Sequence, residues 1–225
     1  MRSFKEIYAI AAKRKGGPKV LEKLIGEHAP KARAALAKIP DDRWLSEMSA
    51  CVFRAGFSWA VIDKKWPGFE KAFWKFAPRR CARLSDVDLD QLLKDKGIVR
   101  NAAKILSVRD NAVLLMDLAQ EAGSAAKFFA DWPDTDYIGL LELLKKRGGR
   151  LGGNSGQMFL RFMGKPSFVL SQDVVARLVA EGVVDAAPTS KAAMKRVQAA
   201  FNQWSEESGR DLTALSRTLA MSVGS

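Results

Sequence analysis

The chain has 225 residues, a net charge of +12, a pI near 9.9 and 48% hydrophobic residues. That length can fill the core of one domain or of two closely packed lobes, and the positive surplus favours an anionic partner, since each cation that displaces counterions from phosphate adds attraction. Two cysteines and a single histidine, His28, exclude a Cys/His zinc site of four ligands within one chain, and no apolar run has the length of a signal peptide or a membrane span. No structural zinc, no membrane contact and a reduced, cytoplasmic setting are therefore expected.

Taken in chain order, apolar spacing predicts helices over about residues 3–14, 18–26, 31–38, 41–55, 58–66, 68–76, 86–95, 100–122, 125–131, 136–147, 155–163, 172–181, 190–207 and 212–222. No alternating run suggests a sheet, so the fold class is all-α. Breaks are marked by Gly16-Gly17-Pro18, Trp66-Pro67-Gly68, Trp132-Pro133, Gly164-Lys165-Pro166 and Ala187-Pro188. Residues 1–40 hold ten Lys or Arg against three Glu and read as a basic helical extension. Residues 41–225 read as one compact helical body.

The most informative stretch is Lys145-Lys146-Arg147-Gly148-Gly149-Arg150-Leu151-Gly152-Gly153-Asn154-Ser155-Gly156, which joins two helical patterns and has no Asp or Glu from Lys145 to Lys165. Glycines allow close approach and positive φ, and a second helix starting behind Asn154 or Ser155 offers free backbone N–H groups to an anion. That is the chemistry of a helix-hairpin-helix gripping a nucleic-acid backbone through Lys146, Arg147, Gly149, Arg150, Gly152, Gly153, Asn154, Ser155 and Gly156. A capped helix followed by a solvated basic turn would share the composition.

Upstream, Ala55-Gly56-Phe57-Ser58-Trp59 ends one helix at a glycine and starts another at Ser58, with aromatics on either side of the cap. Such rings are either core or a stacking platform for a base. This segment with Lys64-Lys65, then Phe69 to Pro78, Gly97-Ile98-Val99-Arg100-Asn101 with Lys104-Ile105, and the hairpin leading to Asp173-Val174-Val175, resembles the type I 3-methyladenine DNA glycosylases within the wider helix-hairpin-helix glycosylase group. The resemblance covers roughly residues 44–180.

The resemblance implies an all-α fold that binds double-stranded DNA, flips an alkylated base from the duplex and hydrolyses its N-glycosidic bond, with no metal or organic cofactor in the chemistry. It implies a base pocket at Trp59, with Phe57, Ser58, Cys51 and Phe53 around it. The family's pocket glutamate falls on Cys51, its Tyr-His-Asp-x-x-Trp-Gly segment has no counterpart, and the later half of its zinc clasp falls on Asp173 and Arg177, an i,i+4 pair that could join as a surface ion pair. Glu47, one turn before Cys51, and Asp173 are the remaining carboxylates that could assist catalysis. A lesion-sensing or architectural DNA-binding protein with an altered pocket is the alternative reading, and no obligate protein partner is implied.

Overall fold

The computed structural model describes residues 1–223. Among these the chain is helical throughout, with no strand. The helices are α1 (Phe4–Arg14), α2 (Pro18–Gly26), α3 (Arg33–Leu36), α4 (Asp41–Arg54), α5 (Trp59–Ala72), α6 (Pro78–Cys81) and α7 (Asp86–Leu92). The second half holds α8 (Ala102–Ala122), α9 (Ala125–Asp131), α10 (Tyr137–Arg147), α11 (Asn154–Met163), α12 (Gln172–Ala180), α13 (Lys191–Ser208) and α14 (Leu212–Ser222). They form two compact units, one of residues 1–31, 133–140 and the chain from Gly164 onward, the other of residues 32–132 and 141–163.

In the second unit α8 is the central strut. Asn101 opens it by accepting from the Lys104 N–H, and Gly123 closes it at φ 87°, a left-handed conformation that costs glycine little. Around it pack α4, α6, α7 and α9, and α11 lies on α4. The α4–α11 contact is sealed by Trp44, fully buried, stacked on Phe129 at 4.6 Å and edge-on to Phe159 at 5.7 Å. A second aromatic cluster holds α5 to α4, with Phe53, Phe69, Phe73 and Phe76 all buried and Trp66 stacked on Phe69 and Phe76.

Two local features depart from the sequence reading. The break expected at Trp66-Pro67-Gly68 lies inside α5, which runs unbroken to Ala72. Proline in a helix interior removes one hydrogen bond and costs about 3 kcal/mol. The burial of Ile62 and Phe69 on the same helix offsets that, and Gly68 lets the Gly97 carbonyl approach where a Cβ would stand only 2.5 Å away. The helix then ends in Trp74, Lys75 and Phe76, three consecutive left-handed residues at φ 50°, 55° and 57°. Phe76 is held by the aromatic stack, Arg43 donates to the Lys75 carbonyl at 2.8 Å, and the Arg80 guanidinium lies 4.1 Å from the Trp74 ring.

In the first unit α14 packs against α1, α2, α12 and α13, and Tyr137, Phe168, Phe201 and Trp204 form a continuous aromatic core. The i,i+4 partner of Arg177 is Glu181, at 3.2 Å, where Asp173 was expected. Glu181 also accepts the Arg2 backbone N–H at 2.8 Å and its guanidinium at 2.9 Å, while Arg177 donates to the Ser222 hydroxyl and carbonyl. A buried cation at position 177 and an exposed carboxylate at Asp173 do not fit a zinc ion, and among the described residues no three His, Cys, Asp or Glu gather as a metal site. Nor is any described helix long and apolar enough to cross a membrane.

Candidate nucleic-acid interface and base pocket

The hairpin between α10 and α11 is built from the second unit alone. Asn111 of α8 fixes its apex, its amide nitrogen donating to the Gly149 carbonyl at 3.1 Å and its amide oxygen accepting the Gly149 N–H at 2.8 Å. Gly149 lies so close to α8 that a Cβ would meet Ser107 and Asp110 at about 3 Å. Past it the chain turns through Arg150 at φ 61° and Gly153 at φ 60°, and α11 begins at Asn154. Lys145, Lys146, Arg150, Gly153 and Asn154 are exposed, whereas Gly156 is buried, where a Cβ would meet the Leu151 carbonyl at 2.4 Å. Arg147 is committed to α8, pairing with Glu121 at 2.8 Å and Asp117 at 3.7 Å.

Beside the hairpin, the C-terminal end of α4, the turn after it and α11 enclose a cavity of about 310 Å³. Its aromatic walls are Phe57, Trp59 and Phe162, which remain 42%, 48% and 37% exposed, and Trp59 meets Phe162 edge-on at 5.8 Å. Large rings held half-open to water leave hydrophobic free energy for a ligand to gain. Cys51 and Arg54 from α4 and Asn154, Ser155 and Met158 from α11 complete the lining. A second concavity, of about 320 Å³, is lined by Val52, Ala55, Arg150, Gly152 and Ser155. Ala55 and Ser155 belong to both, so the aromatic cavity and the basic groove of the hairpin share a wall.

Cys51, Phe57 and Trp59 are thus brought together at the cavity. Phe53 is buried in the core 4.5 Å from Phe69, and Ser58 precedes α5 without a side-chain cap bond. Glu47 stands one turn behind, accepting from the Cys51 thiol at 3.6 Å and from Arg54 at 3.1 Å. Burial first, then the Glu47 charge, pushes the Cys51 thiol far above its ordinary value, which removes it as a thiolate nucleophile. Asp173 is exposed in the first turn of α12, in the first unit.

Lys104 and Arg54, neither of them a site residue in the sequence reading, complete the site. Lys104 of α8 is buried, and its ammonium donates to the Phe53 carbonyl at 3.1 Å and the Ala55 carbonyl at 2.6 Å, closing the end of α4. The same ammonium lies 4.5 Å from the Phe57 ring, and burial, with the charge of Arg150, holds its pKa below the ordinary lysine value. Arg54 places its guanidinium 5.6 Å from the Trp59 ring and 5.7 Å from the Phe162 ring. Asp63 accepts from its Nε at 3.1 Å and its Nη2 at 2.8 Å. Burial opposes the Arg54 charge, but hydrogen bonding to Asp63 and the Glu47 carboxylate outweigh it and hold the pKa above its ordinary value.

Residues 37–139, which include α4, α5 and the turn between them, match the model of the methyladenine glycosylase family. Over this segment the chain is a distant homologue of that family. It is 32% identical over 59 residues to the DNA-3-methyladenine glycosylase of Haemophilus influenzae, a match covering 26% of this chain and 32% of the relative. To DNA-3-methyladenine glycosylase 1 of Escherichia coli it is 31% identical over 67 residues, covering 30% and 36%. The chain thus spans about a third of the length of these curated relatives. A crystal structure of a 3-methyladenine DNA glycosylase I variant in complex with 3-methyladenine superposes with a TM-score of 0.51 at 24% identity, over 56% of this chain and 78% of that one. A mutant of the Staphylococcus aureus 3-methyladenine DNA glycosylase I gives 0.51 at 22% identity, over 68% and 90%. At these identities the likeness to the solved structures is one of fold.

Proposed function

We propose that the protein is a DNA glycosylase of base-excision repair that grips duplex DNA by the α10–α11 hairpin, flips an alkylated purine into the aromatic cavity and hydrolyses its N-glycosidic bond. 3-Methyladenine, named for the relatives, is the reference substrate of that class. The observation that carries this reading is the shared wall. A groove presenting Arg150, Gly152 and Ser155 to a phosphate opens at Ala55 onto a cavity of half-exposed rings, which is the geometry needed to hold a backbone and its extruded base at once. Stacking on Phe57, Trp59 or Phe162 contributes about 1–3 kcal/mol per base.

A specific observation favours a second reading, a protein that flips and marks a lesion without cleaving. No carboxylate lines the cavity, and both nearby carboxylates, Glu47 and Asp63, are tied to Arg54. Incubation with alkylated DNA and chromatography of the supernatant separate the two. Release of free modified purine supports the glycosylase, and lesion-dependent binding without release supports the sensor.

A further inference from the structure

A run of three cations followed by Gly-Gly occurs twice in the chain, as Lys145-Lys146-Arg147-Gly148-Gly149 in the α10–α11 hairpin and as Lys13-Arg14-Lys15-Gly16-Gly17 between α1 and α2. The second belongs wholly to the first unit. Gly16 at φ 86° and Gly17 at φ 117° turn the chain in the left-handed region, and no atom stands within 4 Å of where a Cβ would lie at either, so the turn is open to a large partner. No Asp or Glu occurs from Ile7 to Leu21. Lys13, Lys15, Lys19 and Lys23 are exposed, and none of them pairs with a carboxylate among the described residues. The acids nearest in sequence are engaged elsewhere. Glu22 accepts from Arg210 at 2.5 Å and from the Tyr8 hydroxyl at 2.7 Å, and Glu27 lies 4.0 Å from Arg217. Lys19 and Lys23 stand one turn apart on α2, a like-charge spacing that destabilises a helix until a counter-charge relieves it. The surface is also fixed in place. Ala11, Ala12, Leu21 and Ile25 are buried in one cluster with Ala214 of α14, and Arg217 donates to the Leu24 carbonyl, so the cations are presented by a packed hairpin and little ordering remains to oppose binding.

We propose that the α1–α2 hairpin is a second DNA contact, which holds the phosphate backbone of a duplex through Lys13, Lys15, Lys19 and Lys23 without regard to sequence or lesion. It shares with the proposed function only the partner, duplex DNA, and stands whether or not the base pocket excises. Ammonium groups meet phosphates as point charges and read no base edge at the backbone. A single strand would call for rings on which unpaired bases stack. Phe4 is buried, and Tyr8 has the Arg210 guanidinium 5.1 Å from its ring and its hydroxyl bonded to Glu22, so the hairpin offers no such platform. A lipid surface would call for an apolar face, and Val20 is the one large apolar side chain exposed on α1 and α2. What the hairpin presents is unneutralised charge alone, and a duplex, with one negative charge per ~1.7 Å of axis, is the partner that such a surface fits.

The test is the salt dependence of affinity for an undamaged duplex of about three helical turns, measured on the full chain. Lys13→Gln, Lys15→Gln, Lys19→Gln and Lys23→Gln together should flatten the log–log slope by about two to four units and weaken binding about tenfold or more at physiological salt. The loss should be equal for intact and alkylated duplex, because the contact reads neither base nor lesion. The four side chains are exposed and glutamine is as good a helix former as lysine, so the melting temperature should not fall. Each half of the set, Lys13→Gln with Lys15→Gln or Lys19→Gln with Lys23→Gln, should give about half of the change in slope, which keeps the assignment testable if the fourfold variant folds poorly. Arginine at all four positions, which keeps the charge, should keep the wild-type slope. A slope unchanged in the folded fourfold variant or in both halves, or a loss confined to alkylated duplex, would overturn the proposal. So would loss of wild-type binding to phosphatidylserine vesicles with duplex affinity intact. If Lys146→Glu with Arg150→Glu flattens the slope and this set does not, the α1–α2 contact alone fails. If neither set changes it, duplex DNA is not the partner and the proposed function fails with it.

Discussion

Truncating Trp59 to alanine should separate recognition from stability. A buried tryptophan removes about 150–250 Å² from water. Trp59 keeps 48% of its surface exposed, so about 100 Å² is at stake. At about 25 cal/mol per Å² that is some 2.5 kcal/mol, an upper bound that realistic denatured states reduce to about 2 kcal/mol. A fully buried aromatic would cost about 3–5 kcal/mol. The missing stacking platform should weaken binding to an alkylated duplex by about 1–3 kcal/mol, roughly 5- to 150-fold, and leave an intact duplex, which places no base in the cavity, nearly unaffected. Denaturant unfolding and titrations with both duplexes at one salt concentration measure all three quantities. If Trp59→Ala weakened both duplexes equally, or cost 4 kcal/mol or more of stability, Trp59 would be core and the base would stack elsewhere.

Three further outcomes are expected. Lys146→Glu with Arg150→Glu should abolish duplex binding at physiological salt with the fold retained, since both side chains are exposed, and the residual binding at low salt should show a log–log salt dependence flatter by about one unit for each phosphate no longer neutralised. Arg147→Glu should instead unfold more easily, by about 1 kcal/mol, because it sets a third carboxylate against Asp117 and Glu121. Burial raises the pKa of Glu181, but the Arg2 N–H and guanidinium and Arg177 outweigh it and hold the carboxyl below the usual carboxylate range. The stability it supplies is complete above the unfolded value near 4.5 and is lost as pH falls through the lower folded value, so Glu181→Gln should cost about 3 kcal/mol at neutral pH and flatten the acid limb of stability against pH.

The helices were legible because their apolar positions recur at helical spacing, and the hairpin because its glycines sit within a run of one charge. Pro67 misled because its cost is local and its compensation, the Gly68 approach to Gly97 and the burial of Phe69, is tertiary. The left-handed turn at Trp74, Lys75 and Phe76 carries no glycine to announce it, being imposed by Arg43 and the aromatic stack. That the basic α1 packs on α14, the last helix among the described residues, leaves no trace in either segment alone. In the pocket, Trp59 and Phe57 were visible beside a glycine turn. Arg54 was not, because its meaning depends on Asp63 from α5 and Phe162 from α11, and Lys104, though part of the Lys104-Ile105 match to the family, carries no sign in sequence of its bonds to the end of α4.

Release of a free base under single-turnover conditions tests the central claim most directly. Duplex DNA treated with a methylating agent is incubated with excess protein, and the soluble bases are resolved by chromatography against a no-protein control for spontaneous depurination. A glycosylase predicts modified purine in the supernatant at a rate above that control, abolished by Lys146→Glu with Arg150→Glu and slowed by Trp59→Ala. Retention of the modified strand by the protein, with no base released beyond the control, would contradict it.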